Sequence, residues 1–276
     1  MELAFINEPI NDPDNINERI SSSHVQVVHQ RWRSYYCLSL PEGFSPPIDQ
    51  ACVDTLTQRV KEALGLPQIT PQVVSLEPGV WMLAWFHGTK KLYRAATYEE
   101  GAFGNVEFHP RLNDAAIVDL NHRVLYVAKT PEASRWVSAM NGTLFPNRAA
   151  DDPFFTLSFD LARFQFLTMQ PSIAPRNNFL LKQMTWVEAG RLGSERTCKF
   201  VTNGFDEVEA GAFEWPRHIS SLSLSCHPSG AKKEFCLGFP KTDGVIQCSL
   251  TPERLTTVAN IIKICTHPDV QGPRFQ

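Results

Sequence analysis

The stretch Ala116-Ile-Val-Asp-Leu-Asn-His-Arg-Val-Leu-Tyr-Val127, followed by Thr130-Pro131-Glu132, decides the fold class. Two apolar, β-branched runs flank a short turn at Asn121 and His122, the pattern of a hairpin. Thr130 offers a hydroxyl as an N-cap. Pro131 suits the first helical position, where no amide bond is lost. Glu132 falls at the positive end of the helix dipole. Ala133, Trp136, Val137 and Met140 then recur at spacings of three and four, which puts them on one helix face, and Asn141-Gly142 reads as a stop. At roughly 1.5–3 kcal/mol per large apolar side chain buried, such a stripe is enough to dock its helix on a sheet.

The same order returns later. Phe235-Cys-Leu-Gly-Phe239 and Val245-Ile-Gln-Cys248 flank a turn at Asp243-Gly244, and Thr251-Pro252-Glu253 opens a helix. Its stripe is Leu255, Val258, Ala259, Ile262 and Cys265. The fold class that follows is α+β, with antiparallel β-meanders each closed by an amphipathic helix, arranged as a pseudo-repeat of two sheet–helix units. The expected organisation is an extended N-terminal arm over residues 1–23, a first α+β unit over 24–145 and a second over 146–276. Residues 143–153, with two prolines and no periodicity, read as the linker.

Between these landmarks, His24 to Leu40 reads as a long strand, with Val28, Trp32, Tyr36, Leu38 and Leu40 on one side and His29, Arg31, Arg33 and Tyr35 on the other. Residues 49–64 read as a helix closed by Gly65 and Pro67, with Val53, Leu56, Val60 and Leu64 as its stripe. Residues 72–128 read as a meander. Phe154 to Phe159 and Phe164 to Met169 read as strands or short buried segments, and Asp206 to Phe213 as a short helix.

The hydrophobic fraction of 43% across 276 residues is enough for a real core, and the net charge of −3 excludes a generally basic nucleic-acid binder. No apolar run reaches the ~18 residues of a membrane span, so no membrane association is expected. The N-terminus lacks the charge and apolar pattern of a signal peptide, and the seven scattered cysteines point to free thiols in a cytoplasmic setting.

The chemistry is sparse. GxxxxGK[ST], GxGxxG after a strand, HExxH and GxSxG are all absent. Cys226, His227, Cys236, Cys248, Cys265 and His267 cluster in the second half without a CxxC, so they read as core thiols rather than a zinc site. Asp114 or Asp119 with Lys129 has the outline of a restriction-type nuclease. Val127 occupies the second acid position, however, which makes the set a degenerate look-alike or chance. No catalytic residue, metal or cofactor is assigned.

The feature with the most chemistry is basic and aromatic: His29, Arg31, Arg33 and Tyr35 on one strand face, with Lys90, Lys91 and Arg94 at the next hairpin. Cations beside aromatic rings suit phosphate contact and base stacking. The competing reading is an ordinary solvated face. A surplus of aromatic residues adds an interface reading, with one of Phe154 and Phe155 turned outward.

The leading functional expectation is a non-catalytic binding or scaffold subunit of a larger cytoplasmic assembly, with a protein partner or a homo-oligomer. The second is a nucleic-acid-binding protein using the basic–aromatic strand, for instance in a bacterial system acting on foreign DNA. The third is a diverged metal-dependent nuclease.

Overall fold

The strand Arg33–Ser39 (β1) joins the two halves of the chain. The computed structural model describes residues 33–40, 48–65, 69–88, 93–99, 102–108, 111–144, 154–163, 179–189, 195–201, 219–226 and 234–266. After β1 come the helix α1 (Gln50–Leu64) and the strands β2 (Ile69–Glu77), β3 (Val80–Gly88), β4 (Tyr93–Glu99), β5 (Ala102–Phe108), β6 (Arg111–Asp119) and β7 (Val124–Ala128). The helix α2 (Ala133–Leu144) follows. Then come β8 (Phe179–Ala189), β9 (Glu195–Val201), β10 (Ile219–Cys226), β11 (Phe235–Phe239), β12 (Val245–Cys248) and the final helix α3 (Pro252–Cys265). The arm over 1–23, the proposed boundary at 145/146, Phe164 to Met169 and Asp206 to Phe213 lie outside the described residues.

The fold is α+β. Ten strands form one antiparallel sheet in the order β2-β3-β6-β7-β1-β12-β11-β10-β8-β9. β1 pairs with β7 on one side, Tyr36 opposite Val127, and with β12 on the other, Tyr36 opposite Val245. The stretches read as two units therefore contribute to one continuous sheet. β4 and β5 form a separate two-stranded hairpin between β3 and β6, which pair directly out to Gly88 opposite Arg111.

Strand alternation sorts the apolar side chains into two cores. On one face Tyr35, Cys37, Met82, Ile117, Tyr126, Leu224, Leu237, Ile246 and Cys248 cluster with Leu255, Val258, Ile261, Ile262 and Cys265 of α3. On the other face Leu38, Leu83, Trp85, Ala116, Val118, Leu125 and Val127 cluster with Leu56 of α1 and with Trp136, Val137, Met140 and Leu144 of α2. The two hairpin-plus-helix stretches thus place their helices on opposite sides of the sheet.

Local details follow the sequence expectation in α1 and depart from it in the other two helices. Asp49 caps α1 by accepting from the Cys52 amide, and Gly65 closes it at φ 61°. Neither Thr130 nor Thr251 caps with its hydroxyl, and both oxygens are buried without a partner. Their main-chain carbonyls close the first turns instead, accepting from Ala133 and from Arg254 and Leu255. α2 also runs through Asn141-Gly142 to Leu144. A glycine inside a helix costs about 1 kcal/mol, less than the roughly 1.5–3 kcal/mol gained by burying Leu144.

Residues 154–160 tie the halves together. Ser39 donates its amide to the Phe155 carbonyl and Leu157 donates to Cys37, so this segment extends the β1 ladder where β12 ends. Asp243 in the β11–β12 turn accepts from the Phe159 amide at 3.0 Å and the Ser158 hydroxyl at 3.1 Å. Asp160 donates its amide to the Cys265 carbonyl, and Arg163 donates to the Thr266 carbonyl at 2.7 Å, satisfying the C-terminal end of α3. Phe154 is buried in the second core and Phe155 is half-buried.

Candidate functional site

Of the basic–aromatic set, the described residues Tyr35 and Arg94 do not share a surface. His29, Arg31, Lys90 and Lys91 lie outside the described residues. Arg33 opens β1. Tyr35 is 0% exposed, inside the core under α3, so its ring offers nothing to a stacked base. The reason is position in the sheet: β1 is a central strand covered on both faces, and the run Tyr35-Tyr36-Cys37-Leu38 carries the uninterrupted apolar pattern that such a strand requires. Arg94 is exposed, but on β4, opposite Glu107 in the separate hairpin. Beside β1, Lys129 is an exposed cation whose Nζ lies 5.6 Å from the Tyr36 ring centroid.

The nuclease-like acids face away from each other. Asp114 and Asp119 sit five positions apart on β6, so they fall on opposite faces of the sheet. Asp119, fully buried, holds the β6–β7 turn: its two oxygens take the His122 amide at 3.0 Å and the His122 Nδ1 at 2.8 Å. Asp114, 3% exposed, accepts from Trp136 Nε1 at 2.6 Å. Trp136 in turn stacks on Trp85, ring centroids 4.2 Å apart, and Trp85 Nε1 donates to the Thr57 hydroxyl at 3.2 Å. This cluster joins both helices to the sheet. Lys129 lies at the end of β7 remote from Asp119. Among the described residues no group of three or more His, Cys, Asp or Glu could hold a metal ion.

All seven cysteines are free thiols, and Cys37, Cys226, Cys248 and Cys265 are buried. Burial pushes the Cys226 thiol up to about 12, with Cys236 and Glu234 adding to the effect. Burial likewise raises Cys37, Cys248 and Cys265. Reactivity needs the thiolate, so these four are packing groups rather than nucleophiles. Cys236 is the exception to the core reading: it is exposed on β11.

What the sequence reading missed is a polar rung. On the sheet face that carries α1 and α2, the line Ser34, Gln247, Gly238, Ser223, Gln183 and Val201 crosses from β1 to β9 in register. Thr185 and Ser221 lie beside it and bond each other through their hydroxyls, and Thr185 sits opposite Lys199. Ser34, Gln183, Thr185, Ser221, Ser223 and Gln247 are half-buried, while Thr197, Lys199 and Val201 are exposed. Among the described residues, the helix-covered core on this face contains none from β8 to β12. The signal was present as the alternation Ser221-Leu-Ser-Leu-Ser225, in which leucines serve the α3 core and serines face the other way. Ser225, one rung further on, is fully buried, while its partner Cys236 on β11 is exposed.

Chemically this surface offers hydroxyl and amide groups that donate and accept, with little charge beside them among the described residues. No protein-family model matches the chain, and no curated protein matches its sequence.

Proposed function

We propose that the chain is a non-catalytic binding subunit of a larger cytoplasmic protein assembly, meeting its partner through the polar half of the sheet surface. The observation that carries this reading is that the helices α1 and α2 cover one half of a sheet face, while the other half is hydroxyl- and amide-lined. A polar surface with little charge on rigid strands gives hydrogen-bonded recognition without a large apolar patch, as the rims and wetter parts of protein interfaces do. Seven free thiols fit a reducing compartment. No helix among the described residues is long and apolar enough to cross a membrane.

The test is copurification of tagged protein from its native host, followed by variants. Wild type should bring down a stoichiometric partner. Gln183→Arg with Ser223→Glu, which sets opposite charges across the pair, should lose that partner while keeping the wild-type urea midpoint, and Arg59→Glu on the exposed side of α1 should retain it. Retention of the partner by the Gln183/Ser223 variant, or a wild type that elutes alone, would defeat the reading.

A further inference from the structure

We infer that the outer edge of β9 pairs antiparallel with the same strand of a second copy of this chain, Thr197 lying opposite its twin. The two ends of the sheet differ. β2 carries Pro71, which has no amide to donate, a register shift between Ser75 and Glu77, and α1 alongside. These are devices that close a sheet edge. β9 contains no proline and keeps an unbroken register with β8, its sole hydrogen-bonded neighbour among the described residues. Val201, 61% exposed, is the one large apolar residue exposed among them. A row of backbone groups with no described strand beyond it is a template for another strand.

Symmetry and charge select the occupant. Two copies related by a two-fold axis normal to the sheet must place some residue opposite its own twin, because directly opposed side chains share a face. An axis at Lys199 sets lysine against lysine, which is destabilising. An axis at Cys198 sets Lys199 against Thr197 and leaves the charge unmatched. An axis at Thr197 sets Lys199 of each copy opposite position 195 of the other, a glutamate, so two oppositely charged pairs flank the axis. A lysine on an edge strand deters unrelated strands. In this register it admits a copy of itself. The pairing is independent of the polar face, which monomer and dimer both present.

Light scattering of the full chain over a dilution series tests it. Wild type should pass from monomer to dimer as concentration rises. Lys199→Glu, which opposes glutamates at both positions, should weaken association about tenfold or more. The exchange Glu195→Lys with Lys199→Glu should restore it, and equal melting curves for all three chains would show that folding is intact. A wild type that stays monomeric, a Lys199→Glu chain that associates like wild type, or an exchanged chain that remains monomeric overturns the proposal.

Discussion

Two lines of residues on the same sheet face have opposite character. Val73, Leu83, Ala116, Val127, Tyr36 and Val245 form one, crossing from β2 to β12; Ser34, Gln247, Gly238, Ser223, Gln183 and Val201 form the other. The first lies largely under α1 and α2, whose apolar stripes need a surface to bury against. The second has no helix above it among the described residues, while Met184, Leu224, Leu237 and Ile246 of its strands pack with α3 on the reverse side. The difference teaches that helix placement, not strand composition alone, decides which half of a face is interior. β10, like β7, pairs on both sides, but every β7 residue is buried whereas serines and leucines alternate in β10.

The largest expected effect breaks the covered half. Trp136→Ala removes the ring stacked on Trp85 and the donor to Asp114, and should cost about 3–5 kcal/mol in urea unfolding. A loss under about 1 kcal/mol would mean that α2 is not essential cover.

Alkaline pH probes the α3 side. A thiol whose folded pKa lies above its unfolded one, near 8.5, stays protonated in the native state while the unfolded state releases its proton. Stability is therefore full below about pH 8.5 and falls as pH rises toward the folded value, for Cys226 about 12. Each such thiol contributes a slope of about −1.4 kcal/mol per pH unit in that window. Urea midpoints between pH 8 and 10.5 should fall, and Cys226→Ala should show a shallower fall than wild type. Parallel curves would show that this thiol is not shielded.

Asp243→Ala tests the seam between the halves. It removes acceptors for the Phe159 amide and the Ser158 hydroxyl and should cost about 1–3 kcal/mol. The smallest effect belongs to the polar line: Ser223→Ala should change stability by less than about 0.5 kcal/mol. A cost above about 1 kcal/mol would place that serine in a packed setting and remove the contrast.

Much of the architecture was legible. The hairpins, both amphipathic helices, the Asp49–Gly65 limits of α1 and the antiparallel α+β class follow from local pattern. What escaped depends on non-local pairing. The position of β1 between β7 and β12 turned a supposedly two-sided strand into one buried on both faces, and took Tyr35 from a candidate contact to a core residue. The threonine caps failed because carbonyl bonding satisfied the first turns without them. The polar line was visible only as a serine–leucine alternation; nothing local says which side of that strand a helix will cover.

The first described strand of this sheet finds one of its two neighbours more than two hundred residues later: Arg33 sits opposite Cys248. During synthesis β1 can join β7 early, but its other flank waits for the closing hairpin, with Tyr35 and Cys37 uncovered by α3 meanwhile. Such long-range closure makes for slow refolding. A chain cut before Val245 would carry a bare interior strand where its middle should be, and aggregation rather than a smaller stable domain is the outcome to expect.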